Sequence, residues 1–215
     1  MRIPFVVPRA TERVFDLVGI GQNSIDYLVS VPAHPPRNSK LQATRFEQQP
    51  GGQVATALVT CARLGWRTRY VGTFGDDEAG TRSRQSLTDD GVDVSAAVTV
   101  RGSRNRVAVI LADTGSGERT ILSYRDPLLR LRDVPDGVAN SGRLLLVDAE
   151  DIGVATAAAA AARRAGIPTI VDIDEVQPGT HELLAQIDAI IAAENFPVAL
   201  TGHPELGGAL EMIER

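Results

Sequence analysis

Lysine is almost missing from this 215-residue chain. Lys40 is the sole example and stands between Ser39 and Leu41, so no Gly-Lys-Ser/Thr phosphate loop of the Walker type can form. Cysteine is equally scarce: Cys61 cannot make an internal disulfide, and on the apolar face of an expected helix it reads as a small buried hydrophobe in a reducing compartment. His34, His181 and His203 are far apart in sequence and lack neighbours at metal-ligand spacing, which argues against zinc. No run approaches the roughly 20 apolar residues of a membrane span. The opening Met1–Pro8 is too short and proline-broken for a secretory segment. The expected location is therefore cytoplasmic, with no membrane partner. No G-x-S-x-G elbow occurs, and Gly115-Ser116-Gly117 reads as a hairpin tip. With a formal charge of −5 and scattered arginines, there is no basic stripe for nucleic acid.

What is present is layered. Hydrophobic residues make up 43% of the chain, and Val/Ile runs alternate with Ala-rich stretches, the pattern of an α/β fold with a mostly parallel sheet flanked by helices. One domain over 14–215 is expected. Val14–Gly21 reads as a buried first strand. Gly19-x-Gly21 lacks the third glycine of a dinucleotide-binding turn and is followed by Asn23-Ser24-Ile25-Asp26. Asp26 is placed just past the strand's carboxyl end, where open α/β sheets bind ligands and an acid can accept two hydrogen bonds from a diol. A turn or helix-capping aspartate is the alternative. Strands are expected at 27–31 and 41–47, joined by a proline-rich link, and at 106–112 and 119–123, joined by the Asp113–Gly117 turn. Arg104, Arg106 and Arg125 lie close by; they could meet a substrate anion or simply be solvated on an exposed sheet. Val92–Val94 is expected to lead outward. Further strands at 143–147, 167–172 and 187–192 alternate with helices at 152–165, 181–185 and 204–214.

The organising stretch runs from Gly51-Gly52-Gln53-Val54-Ala55-Thr56 to Gly75-Asp76-Asp77-Glu78-Ala79-Gly80. Ala55, Leu58, Val59, Ala62 and Leu64 recur at helical spacing, and Gly65 stands where a left-handed C-terminal cap belongs. The glycine pair removes two Cβ atoms where the chain enters that helix, so that a small ligand could approach the backbone. Arg69–Gly72 reads as a strand, and the acids of 76–78 as the start of a second helix that ends before Gly91.

From Gly51 to Gly80 this pattern resembles the first signature of the ribokinase-like PfkB family of carbohydrate kinases. Thr56 departs from it, standing where many members have Asn. The resemblance implies a parallel α/β core with a small β-sheet lid, built here from about 27–47 and 104–123, that covers a sugar site and often pairs with a second subunit. It implies ATP and Mg2+ as cofactors and a sugar or related polyol as substrate. By resemblance, Asp26, Gly51, Gly52 and Thr56 belong to the substrate site. Glu150 matches a substrate-contacting glutamate, with helix capping its alternative. The roles of Asp172 and Asp174, at another strand end, stay open. Asn195 resembles the first residue of the family's Asn-x-x-Glu motif for magnesium and phosphate, but Val198 stands in the place of the Glu and cannot order metal-bound water. The family's Gly-rich anion hole and aspartate base would lie past Arg215. The expectation is thus a chain bearing the sugar half of a kinase and inactive alone, a truncated piece; the alternative is a non-catalytic sugar- or nucleoside-binding module.

Overall fold

The computed structural model describes residues 5–213, so Glu214 and Arg215, the expected end of the last helix, lie outside the described residues. In chain order the strands are β1 (Phe15–Ile20), β2 (Ser24–Val31), β3 (Arg45–Gly51), β4 (Thr68–Val71), β5 (Thr73–Gly75), β6 (Val98–Val100), β7 (Val107–Asp113), β8 (Arg119–Tyr124), β9 (Gly142–Asp148), β10 (Thr169–Ile173) and β11 (Ala189–Ala192). The helices are α1 (Gln53–Arg63), α2 (Glu78–Asp89), α3 (Ile152–Arg164), α4 (Thr180–Leu184), α5 (Phe196–Thr201) and α6 (Leu206–Ile213).

The central sheet has the order β11-β10-β9-β1-β4, and every pairing in it is parallel. Strands of such a sheet are covered on both faces, which is why β1 and β9 read as continuous apolar runs rather than alternating ones. Leu17 and Tyr70 face α1 and α2 in one core with Val54, Leu58 and Phe74. Val18, Leu145 and Val171 face the other way, against Ala155, Ala158, Ala159 and Ala162 of α3. Alanine at four buried positions lets α3 lie close to the sheet, so volume there is filled by strand side chains.

A second, mixed sheet of order β3-β2-β7-β8 rises from the carboxyl edge of the first: β2 and β7 are parallel, the outer pairs antiparallel. A buried joint holds its root. Asn23 Nδ2 donates to the Tyr70 hydroxyl and to the Thr73 carbonyl, both at 2.7 Å. Its Oδ1 accepts from Ser83 Oγ at 2.7 Å and Asn105 Nδ2 at 3.1 Å, and Asn105 Oδ1 accepts from the Gly75 N–H at 3.0 Å. These buried amides find partners across β2, β4, α2 and the approach to β7, as a polar network in an apolar interior must.

Several boundaries differ from expectation. β2 begins at Ser24 rather than Tyr27 because Ser24 and Asp26 already pair with Gly51 and Gln49, so Asp26 sits within a strand rather than beyond one. β3 spans 45–51 instead of 41–47; residues 41–44 are exposed, and Pro50 is tolerated because β3 is an edge strand. Val92–Val94 does not lead outward. Val92 is buried, and Asp93 exchanges backbone hydrogen bonds with Thr68 and Tyr70 at 2.9 and 2.8 Å, closing the free edge of β4. The short strands β5 and β6, and α5 with Pro197 in its first turn, were not legible as elements.

Candidate functional site

A cleft of about 860 Å³ separates α1 from the mixed sheet, and Asp26, Gly52, Gln53, Thr56, Ile110, Arg119 and Asp172 are among the residues lining it. Asp26 enters from β2 on the face shared with Leu28, and Ser24 Oγ donates to its Oδ1 at 2.7 Å. No hydrogen bond from a described residue reaches Oδ2. The glycine pair does something other than bare the backbone. A Cβ on Gly51 would stand 2.1 Å from Asp26 Oδ2, so the space released by this glycine is filled by the carboxylate itself. Gly52 adopts φ 99° at the N-cap of α1, and a Cβ there would lie 2.6 Å from the Asn23 Cα. One glycine seats Asp26; the other lets the chain turn from β3 into α1.

Gln53, the first helical residue, ties the floor together. It accepts from Gln22 Nε2 and donates through Nε2 to Asp172 Oδ1 at 3.3 Å. Asp172, next to last in β10, is half-buried, and burial, with Asp174 nearby, pushes its carboxyl above the ordinary range. Sequence reasoning left Asp172 without a role and passed over Gln53. A polar residue directly after the glycine pair, heading an otherwise apolar helix, was the available signal. Cys61, expected to be buried, is half-buried and also lines the cleft.

Glu150 is not brought to this cleft. Its two carboxylate oxygens are held by Arg106 and Arg125, the latter at 2.6 Å, while Arg125 also bridges Asp151 at 2.7 Å. Arg106 and Arg125 are therefore neither solvated nor free to meet a substrate anion: both are mostly buried and clamp the root of the mixed sheet to the start of α3. Arg104 remains exposed. The cation facing the cleft is Arg119, which forms no ion pair among the described residues.

The last residue of β9, Asp148, is a buried acid that the sequence did not single out for a role. Asp148 Oδ2 accepts from the Gln22 N–H at 2.7 Å and Oδ1 from the Glu150 N–H at 3.0 Å. A Cβ on Gly21 would meet Oδ2 at 2.2 Å, so the glycine ending the first strand is what admits this carboxyl. Burial pushes Asp148 up to about 7 despite the two N–H donors, with Glu150 adding to the rise. An acid whose pKa is raised by folding stabilises fully below its unfolded pKa, near 3.8, and loses that contribution as pH climbs through about 7. Asp148→Asn, which must turn an NH2 toward one of the two N–H groups, is expected to cost about 1–3 kcal/mol at pH 4–5. The gap to the parent should narrow by pH 8. Denaturant titrations of both proteins across this range check it; parallel stability curves would contradict the assignment.

Asn195 lies outside the cleft, at the N-cap of α5, making no side-chain capping bond. It lines a neighbouring depression of about 770 Å³ with His34, Asp113 and Glu194, and the two hollows share Gly117, Glu118 and Arg119. Val198 is half-buried in α5. No group of three or more His, Cys, Asp or Glu among the described residues is placed to hold a metal ion, so these residues form no complete ligand set for Mg2+ by themselves. No helix among them is long and apolar enough to cross a membrane.

The profile of the pfkB family carbohydrate kinases matches residues 15–215. Ribokinase from Arabidopsis thaliana is 28% identical over 197 residues, covering 87% of this chain and 52% of that protein. Fructokinase-1 from Oryza sativa subsp. japonica is 34% identical over 111 residues, 52% of this chain and 33% of its own length. The solved structure of a protein from Agrobacterium tumefaciens proposed to be a ribokinase superposes with a TM-score of 0.85 at 27% identity, over 93% of this chain and 66% of that one. The chain thus spans between a third and two thirds of the length of these relatives, and its architecture is the ribokinase-like α/β fold, with a mostly parallel central sheet and a small mixed one.

Proposed function

Because the chain belongs to the pfkB family of carbohydrate kinases, we propose that it carries the polyol-binding part of a sugar kinase whose intact form phosphorylates a hydroxyl with ATP and Mg2+. The observation that carries this reading is the convergence of Asp26, Gly52 and Thr56 on one cleft, with an Asp26 oxygen unengaged. A carboxylate accepting hydrogen bonds from two hydroxyls is a strong recognition element, and Thr56 adds a short donor and acceptor one turn into α1. Residues 14–215 act as one unit in which the mixed sheet is the lid. Asn195 is its contribution toward the phosphates, and the remaining groups of the reaction lie elsewhere in the protein.

The intact protein is expected to consume ATP with at least one member of a panel of pentoses, hexoses, sugar acids and nucleosides in a coupled assay; silence across the panel overturns the reading. The 215 residues alone are expected to bind a polyol without turnover, and sugar-dependent ATP hydrolysis by the pure fragment would refute that part. One observation favours a non-catalytic sugar- or nucleoside-binding module instead: Val198, half-buried, stands where a metal-ordering acid would be required. Turnover by the intact protein decides against it.

The lid also supports a second copy as partner. Successive residues of a strand point to opposite faces, so Phe46, Leu122 and Tyr124, exposed at 65%, 59% and 49%, lie opposite the cleft-lining Ile110 and Ile121. An apolar face of this kind invites covering. Sedimentation as a monomer at every concentration tested removes this pairing.

A further inference from the structure

The resemblance points to Glu150 as the second acid of the sugar site, but both of its oxygens are taken by Arg106 and Arg125. Freeing it would leave two mostly buried guanidinium groups, of which only Arg125 keeps another acidic partner, Asp151. That is a costly exchange for one hydroxyl contact. Across the cleft from the lid, a different acid is better prepared. Asp172 lines the same cleft as Asp26. Its Oδ1 is fixed by Gln53, which is itself fixed by Gln22, and no hydrogen bond from a described residue reaches its Oδ2.

We propose that Asp172, held in place by Gln53, is the second polyol-binding carboxyl of this protein, taking a hydroxyl at the end of the substrate away from Asp26. The two acids enter from different elements, Asp26 from the lid strand β2 and Asp172 from the core strand β10. A polyol held by both bridges the lid to the core, and its hydroxyl spacing becomes the quantity selected. The half-buried position of Asp172 suits this: burial disfavours its charged form, and a hydroxyl donating a hydrogen bond to the carboxylate offsets that desolvation, as Gln53 already does in part. The separation between β2 of the lid and the carboxyl end of β10 therefore sets which sugars fit.

This assignment rests on the carbohydrate-site reading above, and the test separates the two. The sole cysteine, Cys61, lies along the same cleft and its thiol is raised by burial, so slow maleimide labelling at about pH 8.5 reports occupancy. D-ribose and D-fructose serve as probes on the 215-residue chain. At least one is expected to slow labelling of the parent in a saturable way. Asp172→Asn keeps an oxygen for Gln53, so the fold is retained. It should raise the half-protecting concentration at least about tenfold, the loss expected for a hydrogen bond to a charged group. Asp172→Ala should do the same or more, and Glu150→Gln should weaken binding less than Asp172→Asn. A thermal melt of each variant accompanies the series. Protection of the parent with Asp172→Asn within threefold of it, or a larger loss in Glu150→Gln than in Asp172→Asn, overturns the role of Asp172 while leaving the sugar site standing. Failure of both sugars to protect the parent overturns this assignment together with the reading beneath it.

Discussion

Asp26→Ala is expected to lower the kcat/KM of the intact protein for its sugar by about a thousandfold, with little change in thermal stability. The estimate follows from two hydroxyl contacts to a charged acceptor, each contributing about 1.5–3 kcal/mol, and from about 1.4 kcal/mol per factor of ten. Stability is nearly spared because the side chain's only hydrogen bond from a described residue comes from Ser24, two residues away, and β2 keeps its neighbours β3 and β7 whatever stands at 26. Steady-state kinetics beside a melting curve read both quantities. A fall of less than tenfold, or a loss explained by unfolding, would remove Asp26 from the site.

The second large effect separates the two glycines. At Gly52 an Ala must adopt φ near 99°, a conformation open to little but glycine, and must push its Cβ against main-chain atoms of Gln22 and Asn23. Positive-φ strain of this kind costs about 1–3 kcal/mol, and the backbone collision adds to it. Gly52→Ala is expected to lose about 3 kcal/mol or more, a drop of roughly 6–12 °C in Tm for a chain of this size. At Gly51 the added methyl meets the carboxylate of Asp26 instead. That group can rotate away, so Gly51→Ala should melt near the parent but bind sugar as poorly as Asp26→Ala does. Introducing Gly51→Ala into the Asp26→Ala background, where the space is vacant, should then cost almost nothing further. If the two glycine variants have matching melting temperatures, this division of labour is wrong.

Much of the architecture could be read in advance because the signals were local. The apolar runs of β1 and β9, the spacing within α1 and α3, and the glycines at 65, 91 and 166, all at positive φ, each follow from neighbours in sequence. The hairpin of β7 and β8 was announced by the turn chemistry of Asp113–Gly117. What escaped depends on partners far along the chain. Ser24 and Asp26 look like a turn until Gly51 and Gln49 arrive to pair with them. Pro50 looks like a strand breaker until β3 proves to be an edge.

The site divides in the same way. That Asp26 and the helix-opening glycines would lie near one another was suggested by the sequence, and Asp26 and Gly52 do line one cleft, although Asp26 sits within β2 and not beyond a strand end. The carboxylate–glycine contact between Asp26 and Gly51 was not suggested, and it changes the reason the glycine is there. Glu150 sits at the end of a strand, as expected, yet its surroundings are decided by Arg106 and Arg125, 44 and 25 residues away. No local pattern in the sequence announces that an arginine is already spoken for.

The Asn23 joint constrains how the upper sheet can move. Its strands leave the core through a buried hydrogen-bonded cluster that also grips α2, β4 and β5, so the region near 23 and 105 is no free swivel. Rocking must come from flexing of the strands beyond it, toward Val31 and Asp113. Amide protons at the base should then resist exchange as long as those of β1, while protons at the Gly115–Gly117 tip are replaced early.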